Sequence, residues 1–307
     1  MDENLSLLTT MLSESNLNED VKNYILNIGK VLSDRIVYSI ENIPLYSEKL
    51  KKACLHLAGR GKFLRGIFTY LFSRGLGIDE EDSITLALST ELYHLASLIH
   101  DDIIDKAPYR RGLRSVHKEY GIEAAIVAGD LLIIYSNNLL SRLGCEVIKI
   151  YSEAGVRLAD GEMLELEEGS TRSIDEYFRV IELKTSSVFE AMFISATLLA
   201  GRDKYRDQAK YLGKYLGYAF QLSDDLLDFT GDPIVMGKLG KMDREDVNIV
   251  YMLIRMGYDD VDAIERVREF IREYISISIK YLREIELDKM YRDYLIEIIN
   301  LLEGRSL

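Results

Sequence analysis

Only three prolines, Pro44, Pro108 and Pro233, interrupt a chain of 307 residues. Proline inside a helix removes a hydrogen bond and clashes with the preceding turn, so long proline-free stretches favour helices over a many-turned β architecture. Apolar residues recur at three- and four-residue spacing in nearly every window, as they do on one face of a helix. The expected fold class is all-α, one domain over residues 1–307. Helices are predicted near 18–41, 45–57, 62–75, 80–104, 119–141, 146–167, 174–200, 204–229, 244–256, 259–283 and 287–302. Breaks containing glycine and proline fall at Lys106–Gly112 and Gly231–Gly240, each just behind an acidic motif, where functional loops are expected.

Charge narrows the partners. Thirty-eight basic against 51 acidic residues leave a formal charge of −13, the wrong sign for a broad nucleic-acid surface. Cys54 and Cys145 lack the spacing of a zinc site or a disulfide framework and read as two buried thiols in a reducing compartment. The first residues, MDENLSLLTT, carry acids where a signal peptide is basic, and no run of 18 apolar residues occurs. A cytoplasmic protein without a transmembrane segment is expected. The C-terminal helices and the acidic run at 160–169 read as packing and solvated faces.

The chemistry-bearing signal is HDDIID, with Asp101, Asp102 and Asp105 at the end of an apolar helical stretch. Positions i and i+4 share a helix face, so Asp101 and Asp105 converge while Asp102 points about 100° away. Two carboxylates at a helix C-terminus, where the dipole is already negative, call for a cation. Oxygen ligands with room for water and phosphate suit magnesium. QLSDDLLDF repeats the spacing with Asp224, Asp225 and Asp228. If the two helices run side by side, their carboxylates face each other and hold magnesium around one diphosphate. An EF-hand is excluded, since the turn glycine and the final glutamate are missing.

Cations stand near these turns: Arg60, Lys62 and Arg65 in RGKFLRG, Arg110, Arg111 and Arg114 in PYRRGLR, then Lys184 and Lys238. Arginine forks and lysine point charges suit diphosphate. His94, seven residues before Asp101 on nearly the same face, lies about 10 Å down the helix.

These residues together resemble the trans-isoprenyl diphosphate synthases, the polyprenyl synthetase family. The likeness rests on ELYHLASLIHDDIID, RRG, AGD at Ala128–Asp130, KTSSVFEA, FQLSDDLLDF and GDPIVMGKLGK, in order over roughly residues 55 to 245. It implies a large helical bundle of the isoprenoid synthase type with a central active-site cavity, and two or three magnesium ions per site. Asp101, Asp102, Asp105 and Asp224 would hold these on an allylic diphosphate, assisted by Asp225 and Asp228. Arg110, Lys184, Thr185, Gln221 and Lys238 match positions contacting the allylic substrate. Gly61, Lys62, Arg65, His94 and Arg111 match the isopentenyl diphosphate site, and Phe220 matches an aromatic ring near the reacting centre. The resemblance also implies a homodimer.

Three departures mark this chain. The family's GGKRxRP reads RGKFLRG, with Phe63 for the first arginine and Gly66 for proline; Met242 replaces an aspartate whose nearest equivalent is Asp243; and a later lysine is missing near Val247. Chain length is expected to depend on the residues behind Asp101. Ala96 and Ser97 are small, and Tyr93 is the candidate floor about 12 Å down the helix, predicting a product of twenty carbons or more. Two other readings are a class I terpene cyclase and a non-catalytic regulatory subunit. The first normally carries a different second metal motif; the second tends to lose aspartates that are all present here.

Overall fold

This computed structural model describes residues 3–168, 173–231 and 248–304. They form two compact units, one of the described residues up to Tyr70 with Asp79–Gly144, the other of Leu71–Ile78 with the described residues from Cys145 onward.

The first unit contains α1 (Ser6–Ser13), α2 (Glu19–Glu41), α3 (Glu48–Leu55), the start of α4 (Leu64–Gly75), α5 (Glu80–Ile104), β1 (Tyr109–Arg110), β2 (Leu113–Arg114), α6 (Val116–Tyr120) and α7 (Ile122–Leu140). Asp79 caps α5 by accepting the Asp82 N–H at 3.0 Å, and Glu80, Glu81 and Asp82 in the first turn complement the positive end of the dipole. Leu86, Leu92, Leu95, Ala96 and Ile99 are buried along the 25 residues of α5, which packs against α7. Its last turn carries no base. β1 and β2 pair antiparallel, Tyr109 with Arg114 and Arg110 with Leu113. The two-residue turn has φ of 53° at Arg111 and 76° at Gly112, the sign pattern of a type I′ hairpin. By length and composition alone α7 is apolar enough to cross a membrane, and 33% of its most apolar window is buried in the protein.

The second unit contains the end of α4, then α8 (Cys145–Glu168), α9 (Ile174–Ile181), a π-turn (Glu182–Ser186), α10 (Ser187–Leu199), α11 (Arg206–Thr230), α12 (Ile249–Arg255), α13 (Asp260–Glu284) and α14 (Lys289–Leu301). The helix expected over 174–200 is therefore α9 and α10 joined by a π-turn, which inserts an extra residue and re-aims the side chains at Lys184 and Thr185.

Glycines let two helices close on that turn. A Cβ on Gly161 of α8 would meet Lys184 N at 2.9 Å, one on Gly217 of α11 would meet Ser186 Cα at 2.5 Å, and one on Gly213 would meet Glu190 N at 2.5 Å. Gly213, Gly217, Gln221 and Asp225 follow one another at i+4 along α11, so the close seam delivers the last two to the site. Gly217→Ala drives its methyl into the Ser186 Cα, which side-chain rotation cannot relieve. It should cost about 3 kcal/mol, at the upper end of ordinary overpacking, read as a lowered urea midpoint with unchanged m.

Candidate functional site

In the first unit the aspartate motif divides. Asp101 and Asp105 stand one turn apart and are partly exposed, whereas Asp102 is 0% exposed. Asp102 Oδ1 accepts from Arg110 Nε at 2.7 Å and pairs with Nη2 at 2.5 Å. Burial pushes the Asp102 carboxyl above its ordinary range and the Arg110 charge opposes this. The middle aspartate thus ties the hairpin to the end of α5, leaving the outer two at a C-terminus that has no base of its own.

Behind them lies a cationic cradle. Arg65 Nη1 and His94 Nε2 are 3.2 Å apart. Arg111 donates from Nη1 to the Arg60 carbonyl, and its guanidinium lies so close to Gly61 that a Cβ there would be 2.9 Å from Cζ. Burial pulls Arg111 down to about 10, with Glu91 opposing. Among the described residues, the non-glycine ones with left-handed φ are Phe63 (52°), Lys106 (54°) and Arg111 (53°), the first and last of them in the segments that carry this cradle. Each costs on the order of 1 kcal/mol, strain of the kind that gathers at functional sites. Lys62, partly exposed, lies between Gly61 and Phe63. Arg114 instead pairs with Glu119 on the surface.

Burial, followed by the charges of Arg65, Arg111 and Arg110, holds His94 well below the ordinary histidine value. A neutral imidazole in the folded chain gains its proton on unfolding in acid. Stability is therefore full above about pH 6.5 and falls as the pH drops toward the folded value. His94→Gln should flatten that acid-side fall in Tm, leaving the part due to His117, which burial also holds down.

In the second unit the repeat divides in the same way. Asp224 is partly exposed and Asp228 exposed, while Asp225 is 8% exposed. Asp225 accepts from Tyr177 Oη at 2.8 Å, Gln221 Nε2 at 2.9 Å and the Ile249 N–H at 3.1 Å, and burial pushes its carboxyl up to about 7 against these donors. Thr185 donates to Gln221 Oε1 at 2.9 Å. Lys184 Nζ lies against Glu162 and, at 2.7 Å, Glu165. Phe220 is buried with its ring tilted by 49° against that of Phe189, their centroids 5.3 Å apart.

Part of the acidic run read as a solvated face is thus nothing of the kind. Glu162 and Glu165, i and i+3 on α8, are turned inward onto Lys184. Glu91 and Tyr177 are two more site residues that the motifs do not announce. Lys238, Met242, Asp243 and Val247 lie outside the described residues.

Among the described residues no group of three His, Cys, Asp or Glu side chains forms a metal cage. Two outer carboxylates per motif nonetheless fit magnesium, which keeps waters and binds through one or two carboxylates plus substrate phosphate.

The sequence profile described as Polyprenyl synthetase matches residues 47–276. The chain belongs to the polyprenyl synthetase family. An octaprenyl diphosphate synthase of Haemophilus influenzae is 33% identical over 220 residues, covering 70% of this chain and 67% of that one. A geranylfarnesyl diphosphate synthase of Methanosarcina mazei is 34% identical over 216 residues, covering 69% of this chain and 72% of that one. The solved geranylgeranyl pyrophosphate synthetase of the archaeon Geoglobus acetivorans matches with a TM-score of 0.80 at 26% identity, over 92% of this chain and 99% of that one. The fold is thus the helical isoprenoid synthase fold, and this polyprenyl synthetase is, with its relatives, a prenyltransferase.

Proposed function

We propose that the chain condenses isopentenyl diphosphate with an allylic diphosphate, giving a trans-polyprenyl diphosphate of twenty carbons or more in a magnesium-dependent reaction. The observation that carries this is the division of both aspartate motifs. Each buries its middle carboxylate in protein contacts and presents the outer pair at a helix end, and in the first unit that pair stands beside an arginine cradle.

Magnesium held by Asp101 and Asp105 would supply positive charge for the leaving diphosphate; Asp224 and Asp228 offer the same outer pair in the second unit. Asp102 holds Arg110 in place beside the first pair. Arg65, Arg111 and the neutral His94 anchor the diphosphate of the isopentenyl substrate, with Lys62 as a further point charge. Thr185 and Gln221, braced by Asp225, and Lys184, released from its glutamates, serve the allylic substrate, as does Lys238 by resemblance. The allylic C–O bond breaks, the isopentenyl double bond forms the new C–C bond, and the departing diphosphate takes the proton lost. No protein nucleophile is needed. The whole chain reads as one catalytic domain, since the family profile runs through both units.

The open face of α5 supports the length assignment. His94, Ser97, Asp101 and Asp105 share one stripe, and Tyr93 donates to Asn137 of α7 at 3.3 Å, which fixes its ring. Ala96 is 0% exposed and lies about 140° round the helix from Asp101, at 100° per residue. Ser97→Phe should therefore shorten the products more than Ala96→Phe, read by resolving labelled products by length. Unchanged products in both variants would remove this assignment.

A homodimer is part of the reading. Ile122, Ile126, Val127 and Ile134 are 52%, 45%, 49% and 65% exposed along α7, an apolar face that a second copy would cover. Light scattering should give twice the mass of 35.2 kDa. A cytoplasmic location fits the two free thiols, Cys54, buried as expected, and Cys145, which is exposed at the start of α8 rather than buried.

A further inference from the structure

The buried carboxylate of Glu91 has no part in the reaction just described. It accepts the Gly66 N–H at 2.6 Å and is 4% exposed. Gly66 is the third residue of α4, so its N–H is one of the four at a helix start that have no partner within the helix. Glu91 therefore caps α4 from the side of α5, with a negative charge at the positive end of the α4 dipole. One residue before Gly66 is Arg65; one turn after Glu91 is His94; and Arg65 and His94 are themselves 3.2 Å apart. Two neighbouring rungs thus join α4 to α5, one of them made by a cradle arginine.

The geometry points to Glu91 as the positioning residue of the cradle: by latching the Gly66 N–H it sets the start of α4, and with it Arg65, at the place where the isopentenyl diphosphate is bound. This rests on the reading of the cradle given above. The latch belongs to this chain's departure from the family pattern, because a proline at 66 has no N–H to give. Glycine is required for a second reason. A Cβ at 66 would come within 2.8 Å of both Glu91 Cγ and Leu32 Cδ1, wedging the rung apart. The charge of Glu91 also reaches Arg111 and Arg65, which oppose the rise that burial imposes on its carboxyl.

The test is steady-state kinetics with each substrate varied in turn, on wild type, Glu91→Ala, Glu91→Gln and Arg65→Ala. Glutamine keeps an oxygen for the Gly66 N–H and alanine does not. Glu91→Ala should raise KM for isopentenyl diphosphate roughly tenfold, about 1.4 kcal/mol, and leave KM for the allylic primer unchanged, while Glu91→Gln recovers most of the loss. A merely structural carboxylate would lower Tm without this one-sided change in KM, and that result overturns the proposal. Arg65→Ala impaired with Glu91→Ala unimpaired overturns the latch alone; Arg65→Ala unimpaired overturns the reading of the cradle and the latch with it. If Glu91→Ala does not fold, Glu91→Leu replaces it, filling the buried space while offering the Gly66 N–H no acceptor; an unchanged KM for isopentenyl diphosphate in that variant overturns the latch.

Discussion

Asp101→Asn is expected to lower turnover on the order of a thousandfold, the size of effect seen when one preorganised electrostatic group is removed from a transition state. The argument is geometric. Asp101 and Asp105 are one helical turn apart at the end of α5, where the dipole is negative and the last turn holds no base. Asparagine keeps the shape of the side chain while discarding the charge that would attract magnesium. Tm without metal should therefore stay close to that of wild type, and the magnesium concentration for half-maximal activity should increase. Asp224→Asn should behave alike in the second unit. Loss of activity accompanied by loss of fold would place Asp101 among the structural residues instead.

Arg110→Ala should be among the most destabilising single changes in the first unit, costing about 3 kcal/mol. Breaking a buried ion pair by removing one partner leaves the other charge stranded. Asp102 is 0% exposed and Arg110 still 24% exposed in its side chain, so the stranded charge is the one water cannot reach. Its second oxygen, Oδ2, already has no hydrogen-bond partner, and loss of Arg110 would remove the support of the first. Burial raises the Asp102 carboxyl, and Arg110 holds that rise in check. In the variant the folded value climbs further above the unfolded one. The variant's stability is then best preserved below the unfolded carboxylate value, about 3.9, and is lost as the pH rises through the folded value. Urea midpoints for wild type and variant should diverge with rising pH. Asp102→Asn, which strands only a partly solvated guanidinium, should cost less. Equal costs for the two variants would refute the stranded-charge account.

Much of this molecule was legible in its sequence because its strongest signals are local. Apolar periodicity and capping set α2, α5, α11 and α13 within a residue or two of expectation, and the i, i+4 spacing predicted which aspartates share a face. Less visible were features that depend on contacts between distant segments. The helix pattern over 174–200 is unbroken in sequence, yet α8 and α11, closing through Gly161 and Gly217, pack against a π-turn there. The Arg111–Gly112 turn uses left-handed φ at an arginine, which turn propensity does not favour, because the hairpin must bring one guanidinium to Asp102 and the next to Arg60. Short α1 lacks a side-chain cap. Glu162, Glu165 and Glu91 read as ordinary acids until their partners, Lys184 and the Gly66 N–H, are seen beside them.

The central claim, that this polyprenyl synthetase lengthens an allylic diphosphate by metal-dependent addition of isopentenyl diphosphate, is tested most directly by one assay. Labelled isopentenyl diphosphate is supplied with the ten-, fifteen- and twenty-carbon allylic diphosphates, with and without magnesium, and the products are resolved by length. The expected result is label in diphosphates of twenty carbons or more, formed only with magnesium. No incorporation with any primer, or release of a cyclic hydrocarbon from the allylic substrate alone, would contradict it.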